Sequence, residues 1–326
     1  MTTLDDTIPM EAAHSSPDGP QVCEECQPPR PVNNLRQHRY RVHGQGRRPA
    51  ADRARGPYPP GMCPAAPITP DPDGDIPRVG WGQVAGEFVN RWEQGQHVAI
   101  LGKTGSGKTT LALELCRLRI AARGAMVGVL GTKARDQTLR RTNWPIVREW
   151  PPTYAQMQTH HVIFWPAYSR PSTAKSTTTP RVVEILDEVM LAGGWTLFVD
   201  EMAYLVETLG LRQVLDEYWN GARSSGISLI AGTQRPAWLA RSAVSQTDWT
   251  VCFRINDQDD RLRAGEILGN RRRYAPVIAT LRDHEFLLAR TVTDMAVITT
   301  LPAAAANPAR REPAFNPVRQ PAQRGL

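Results

Sequence analysis

The stretch His97-Val98-Ala99-Ile100-Leu101-Gly102-Lys103-Thr104-Gly105-Ser106-Gly107-Lys108-Thr109-Thr110 decides the fold. The apolar run up to Leu101 has the length of a strand buried on both faces. After Lys108 the apolar residues Leu111, Leu115, Leu118 and Ala122 recur at intervals of three and four, which predicts a helix over Lys108–Arg123. A Gly-rich turn of the form Gly102-x4-Gly107-Lys108-Thr109 between such a strand and such a helix is a phosphate-binding loop. Glycines let successive backbone N–H groups approach phosphate oxygens, and the helix N-terminus adds the positive end of its dipole. Lys108 is placed to reach the β- and γ-phosphates, and the Thr109 hydroxyl to ligate Mg²⁺. The expected ligand is ATP with Mg²⁺, contacted by Gly102, Lys103, Thr104, Gly105, Ser106, Gly107, Lys108, Thr109 and Thr110.

A magnesium site needs a carboxylate at the end of a neighbouring strand. Trp195-Thr196-Leu197-Phe198-Val199-Asp200-Glu201 supplies it: an apolar strand closed by two acids. Paired acids there would bury charge to no purpose without a cation, so Asp200 is assigned to the metal and Glu201 to polarising the attacking water. A solvated strand end is the alternative. Thr132-Lys133-Ala134-Arg135-Asp136 is superficially like the guanine-reading Thr-Lys-x-Asp, but it is one residue too long and comes after the second strand, which argues against GTP.

Outward from the loop, strands are expected over Ala125–Leu130, Val162–Trp165, Trp195–Val199, Ile227–Ala231, Trp249–Ile255 and Glu285–Ala289. Helices are expected over Pro180–Leu191 and Val206–Ser224. Strands alternating with helices imply an α/β fold with a mostly parallel sheet covered on both faces. Ile227 to Pro236 ends a strand with Gln234, whose amide can hydrogen-bond the γ-phosphate or the lytic water; a plain turn residue is the other reading. Arg223, in Gly221-Ala222-Arg223-Ser224-Ser225-Gly226, lies near a helix end, where a cation would also suit the helix dipole.

Gly-x-Arg-Ser-x-Gly-Ile, a strand and then Thr233-Gln234-Arg235-Pro236 resemble the FtsK/HerA superfamily of ring-forming, DNA-pumping ATPases. The strand and acidic turn Asp248 to Arg261 are similar to the next strand and turn of phage- and plasmid-type members. The resemblance covers roughly residues 95–290 and implies a RecA-like P-loop NTPase fold. It implies that Gln234 is the sensor glutamine and that Arg223 is an arginine finger acting on ATP held by the adjacent subunit. It further implies a homo-oligomeric ring, a hexamer, that translocates or packages DNA. No anchor, long extra domain or winged-helix module is expected, so membrane-tethered pumping fits less well than a compact motor of a phage, plasmid or mobile element. The runner-up function is an ATP-dependent DNA-binding regulatory switch. A small-molecule kinase would need an acceptor pocket for which the sequence has no marker.

Residues 1–20 are polar and unpatterned, residues 44–80 form a Pro-rich linker, residues 81–300 form the ATPase domain, and the basic tail 301–326 is expected to be disordered. Within residues 21–43, Cys23-x2-Cys26-x11-His38-x4-His43 has the ligand types of a Cys2His2 zinc finger. The inner gap is one residue short, no aromatic stands between Cys26 and Leu35, and Pro28, Pro29 and Pro31 argue against an ordinary second strand, so an unstructured segment stays open. Cys116 and Cys252 read as small core residues. The formal net charge of +7, with arginines bunched between Arg30 and Arg55, suits a polyanion such as DNA or simply a solvated surface. The chain opens on Asp5, Asp6 and Glu11 rather than on a secretory signal, and no apolar run approaches the roughly 18 residues of a membrane span, so no membrane insertion and a cytoplasmic location are expected.

Overall fold

The apolar runs between His97 and Thr300 pair into one nine-stranded sheet in the order β11-β10-β9-β3-β8-β7-β4-β6-β5. The structure is a computed structural model and describes residues 21–23, 30–32, 68, 75–133, 135–166 and 173–301. The strands are β3 (His97–Leu101), β4 (Met126–Leu130), β5 (Ile146–Val147), β6 (His161–Phe164), β7 (Trp195–Val199), β8 (Ser228–Thr233), β9 (Thr247–Phe253), β10 (Glu285–Arg290) and β11 (Met295–Thr300). From β9 to β5 all neighbours are parallel, whereas β10 runs antiparallel to both β9 and β11.

Side chains of the central strands alternate between two apolar cores, as the strand period of two requires. On one face Val98, Ile100, Phe198, Ile230 and Val251 pack with helices α1 (Trp81–Arg91) and α2 (Lys108–Arg123). On the other, Leu197, Val199, Leu229, Ala231 and Cys252 pack with α5 (Ala174–Ala192), α6 (Arg212–Gly221), α8 (Gln258–Ile267) and α9 (Arg271–Thr280). The short helices α3 (Gln137–Arg140), α4 (Tyr154–Gln158) and α7 (Arg241–Gln246) complete the set. Cys116 and Cys252 are buried in the two cores.

The sequence-based strands fall within one or two residues of the observed ones at most ends, but four differences have physical causes. The helix expected over Val206–Ser224 is a π-helical turn, Tyr204–Thr208, and then α6, interrupted at Gly210 with φ of 74°. Helix α5 begins at Ala174 rather than Pro180 and takes in the Ser/Thr run, whose Ser176 and Thr177 hydroxyls bond back to the Thr173 carbonyl at 3.0 and 2.9 Å. The strand β11 and the helices α1, α8 and α9 are additions to the sequence-based elements; β11 forms an edge of the sheet on the antiparallel side. The end of the Pro-rich stretch is packed rather than free: Val79 N–H donates to Ile298 O at 2.9 Å, and buried Ile68 donates its N–H to Glu87.

The N-terminal unit, residues 1–53, is described through two backbone segments. β1 (Gln21–Cys23) and β2 (Arg30–Val32) pair antiparallel, so a second strand does form despite Pro31. Both strands of a two-stranded ribbon are edges, where a residue without an N–H is tolerated. Of the zinc ligands read from the sequence, Cys26, His38 and His43 lie outside the described residues, as do the segments 1–20 and 302–326.

Among the described glycines the tightest site is Gly232, where an added Cβ would lie 2.5 Å from the Asp200 carbonyl oxygen, a backbone atom that cannot swing aside. Gly232→Ala is therefore expected to cost about 1–3 kcal/mol in urea unfolding. An unchanged midpoint would show that β8 and the end of β7 are not locked together.

Candidate nucleotide-binding site

Parallel strands gather ligand-binding groups at their carboxyl ends. Here the ends of β3, β8, β7 and β4 lie side by side and deliver four segments to one place. The sequence-predicted carboxylate strand is not the immediate neighbour of the loop strand: β8 intervenes, and it carries Gln234 between them.

Gly102 through Gly107 form the expected loop and Lys108 starts α2, with Gly107 at the N-cap at a φ of 110° that favours glycine. The loop is held to β8 by Gly102 N–H donating to Thr233 O at 3.2 Å. Lys103, Thr104 and Gly105 are exposed, Ser106 and Lys108 are buried, and Thr109 and Thr110 are half-buried. The Lys108 ammonium donates to the carbonyls of Gly102 at 2.7 Å and Lys103 at 2.9 Å, so it lies along the inside of the loop. Burial lowers its pKa to about 8, against the attraction of Glu201 and Asp200.

Asp200 is only 2% exposed, and each of its oxygens has its own partner. Thr109 Oγ1 donates to Oδ1 at 2.5 Å, and Lys133 Nζ to Oδ2 at 2.5 Å. A buried carboxylate against a hydroxyl is a pair of hard oxygen donors, which fits Mg²⁺. Thr109 and Asp200 would hold that ion, whose charge would offset that of the phosphates. Glu201 is half-buried and accepts from the Gln234 N–H at 3.4 Å, while the Gln234 side-chain oxygen accepts from Thr104 Oγ1 at 2.6 Å. Thr104, Gln234 and Glu201 thus join the tips of three strands in one chain of contacts.

Arg223 lies elsewhere. It comes after α6 and pairs with Asp248, 2.6 Å away, at the start of β9. That is the opposite end of the sheet from the loop; the four residue steps along β3 alone span about 13 Å. The same Asp248 oxygen accepts from His97 N–H at 2.9 Å. His97 is fully buried, and burial brings its pKa down to about 4 although Asp248 pulls the other way. Arg235 is exposed and reaches Asp260 at 3.6 Å.

Two residues that the sequence motifs do not single out also touch the site. His284, between α9 and β10, donates Nδ1–H to the Ser106 carbonyl at 3.1 Å; only the antiparallel direction of β10 brings that loop to the site. Lys133 stands after β4, within the segment that only superficially matches the guanine-reading motif. Its signal is position, a cation directly after a parallel strand. Among the described residues no group of three or more His, Cys, Asp or Glu could hold a metal.

A family model described as ABC transporter matches residues 90–251, from the end of α1 to β9. DNA packaging ATPase P9 of Enterobacteria phage PRD1 is 27% identical over 168 residues, covering 51% of this chain and 67% of that protein. Among solved structures, the genome packaging NTPase B204 from Sulfolobus turreted icosahedral virus 2 in complex with AMPPCP is 16% identical with a TM-score of 0.46, covering 63% of this chain and 97% of that one. VirB4 of Thermoanaerobacter pseudethanolicus is 12% identical with a TM-score of 0.46, covering 64% of this chain and 89% of that one. No helix among the described residues is long and apolar enough to cross a membrane. The chain is a P-loop ATPase, as its sequence indicates.

The depressed Lys108 pKa gives stability a definite pH dependence. Below about 8 the lysine is charged in folded and unfolded chains alike, and its burial is fully unfavourable. Between about 8 and the ordinary 10.5 the unfolded chain holds a proton that the folded one has released, so stability rises with pH. Lys108→Met should stabilise the nucleotide-free protein most near roughly pH 7, with the advantage shrinking toward roughly pH 10 in urea unfolding. Its hydrolysis rate should fall by about 100-fold or more.

Proposed function

We propose that this ATPase drives the translocation or packaging of DNA as a ring of identical subunits, a hexamer, with hydrolysis at the subunit interfaces. The observation that carries the reading is the Thr104–Gln234–Glu201 chain. It sets the Gln234 side-chain amide against the loop that would hold the phosphates, and the Gln234 backbone N–H against the carboxylate that would polarise water. An amide so placed can register the presence or loss of the γ-phosphate and pass it into β8. The basic balance of +7, the resemblance to ring-forming DNA pumps and the likeness to a phage DNA packaging ATPase support DNA as the substrate that is moved.

In this reading Lys108, Thr109, Asp200, Glu201 and Gln234 act on the nucleotide of their own subunit. Lys108 neutralises phosphate charge, and Glu201 takes the proton of the attacking water. Gly102 to Thr110 cradle the triphosphate. Arg223 acts on the nucleotide of the next subunit, a role that its distance from its own loop requires if it acts at all. Its bond to Asp248 aims it from a fixed platform.

ATP hydrolysis titrated with duplex DNA tests this. Wild type should be stimulated by DNA, and Glu201→Gln should lose about 10²–10⁴-fold. Arg223→Ala should lose on the order of 10³-fold and recover in part when mixed with Lys108→Ala subunits, since each supplies what the other lacks. An Arg223→Ala rate equal to wild type would remove the trans arginine. Hydrolysis indifferent to DNA would replace the motor with a nucleotide-operated DNA-binding switch.

A further inference from the structure

Lys133 occupies a built position. Its backbone is pinned by the Trp165 indole, which donates Nε1–H to the Lys133 carbonyl at 2.8 Å. Two residues earlier, Gly131 N–H donates to Phe164 O at 2.9 Å, and an added Cβ at Gly131 would press on the Trp165 ring at 3.1 Å. The loop after β4 is therefore held against β6 while the lysine side chain, 45% exposed, extends from it. At its tip stand two carboxylates: Asp200 at 2.5 Å and Asp136 at 3.7 Å. Asp136 is itself fixed, because its other oxygen accepts from Leu139 N–H at 3.0 Å and caps α3.

We propose that Lys133 is a resident cation that occupies Oδ2 of Asp200 and keeps divalent cations out of the site until a nucleotide brings one in. This rests on Asp200 being the metal carboxylate. A buried aspartate beside a hydroxyl and a glutamate would otherwise attract any divalent ion from solution, since burying a carboxylate without a positive partner is costly. Lys133 supplies that partner reversibly. Its anchored backbone makes it recur at the same place, and its half-exposed chain leaves it free to withdraw. When it leaves Asp200, Asp136 is already within reach, so the displaced ammonium exchanges one carboxylate for another. A metal alone has to displace a paired lysine, whereas a metal on a triphosphate arrives with ligands that the loop also binds. The consequence is ordered loading: nucleotide with its metal, never metal first.

Mn²⁺ binding followed by electron paramagnetic resonance, with no nucleotide present, reads this directly. Wild type and Lys133→Arg should bind Mn²⁺ weakly, and Lys133→Met should bind it about tenfold more tightly or better. If Lys133→Met binds Mn²⁺ no better than wild type, the proposal is overturned. Adding Asp200→Asn to Lys133→Met should abolish the gained site; retention of the gain would place the metal elsewhere and remove the assignment of Asp200 instead. Folding of each variant is checked by its urea unfolding transition, and the Mn²⁺–ATP signal should persist in Lys133→Met and be lost in Asp200→Asn.

Discussion

The arrangement depends on one buried charge. Asp200 closes β7 almost out of contact with water, and nothing in an apolar sheet would tolerate that carboxylate alone. Its two oxygens draw Thr109 from the start of α2 and Lys133 from the end of β4, so the ends of three different crossovers converge on it. The bare backbone of Gly232 lets β8 lie close enough to β7 for Gln234 to enter the same cluster. Fold and chemistry therefore share a constraint: the sheet must be registered so that this carboxylate meets its partners.

Much of this is legible in the residues. The loop, its strand and its helix match because short buried strands and a helix with leucines at intervals of three and four are local patterns. Asp200 and Glu201 stand out as charge at the end of an apolar run. Strand order is not legible in the same way. Neither the position of β8 between loop and carboxylate nor the approach of His284 along antiparallel β10 leaves a trace in local sequence. Lys133 is visible in the sequence, but a comparison with a nucleotide-base motif hides what its place after a parallel strand reveals. Helix boundaries depart from periodicity at the Ser/Thr run before Pro180, whose polar residues carry no apolar stripe, and where Gly210 splits what periodicity joins.

The far end of the sheet has its own polar organisation. Asp248 serves both His97 and Arg223, and His97 Nδ1 accepts from Leu229 N–H at 3.1 Å while its ring meets Trp219 edge to face. The neutral imidazole thereby ties β3 to β8, and the His97 backbone N–H ties β3 to β9. Arg223 is consequently not a dangling surface cation but one paired with Asp248 of β9, the carboxylate that also takes the His97 N–H of β3.

That arrangement makes β8 a strut. All six of its residues are buried, it is paired on both sides, and close-packed interiors transmit strain rather than absorb it. At one end Gln234 leans on the loop and on Glu201; at the other, just before Ser228, sits the arginine that faces outward. A strand of this length spans about 16–20 Å and, held on both sides, would move as one body rather than residue by residue. If Gln234 acts on the nucleotide as proposed, that displacement would be carried by the whole strand toward the turn that holds Arg223.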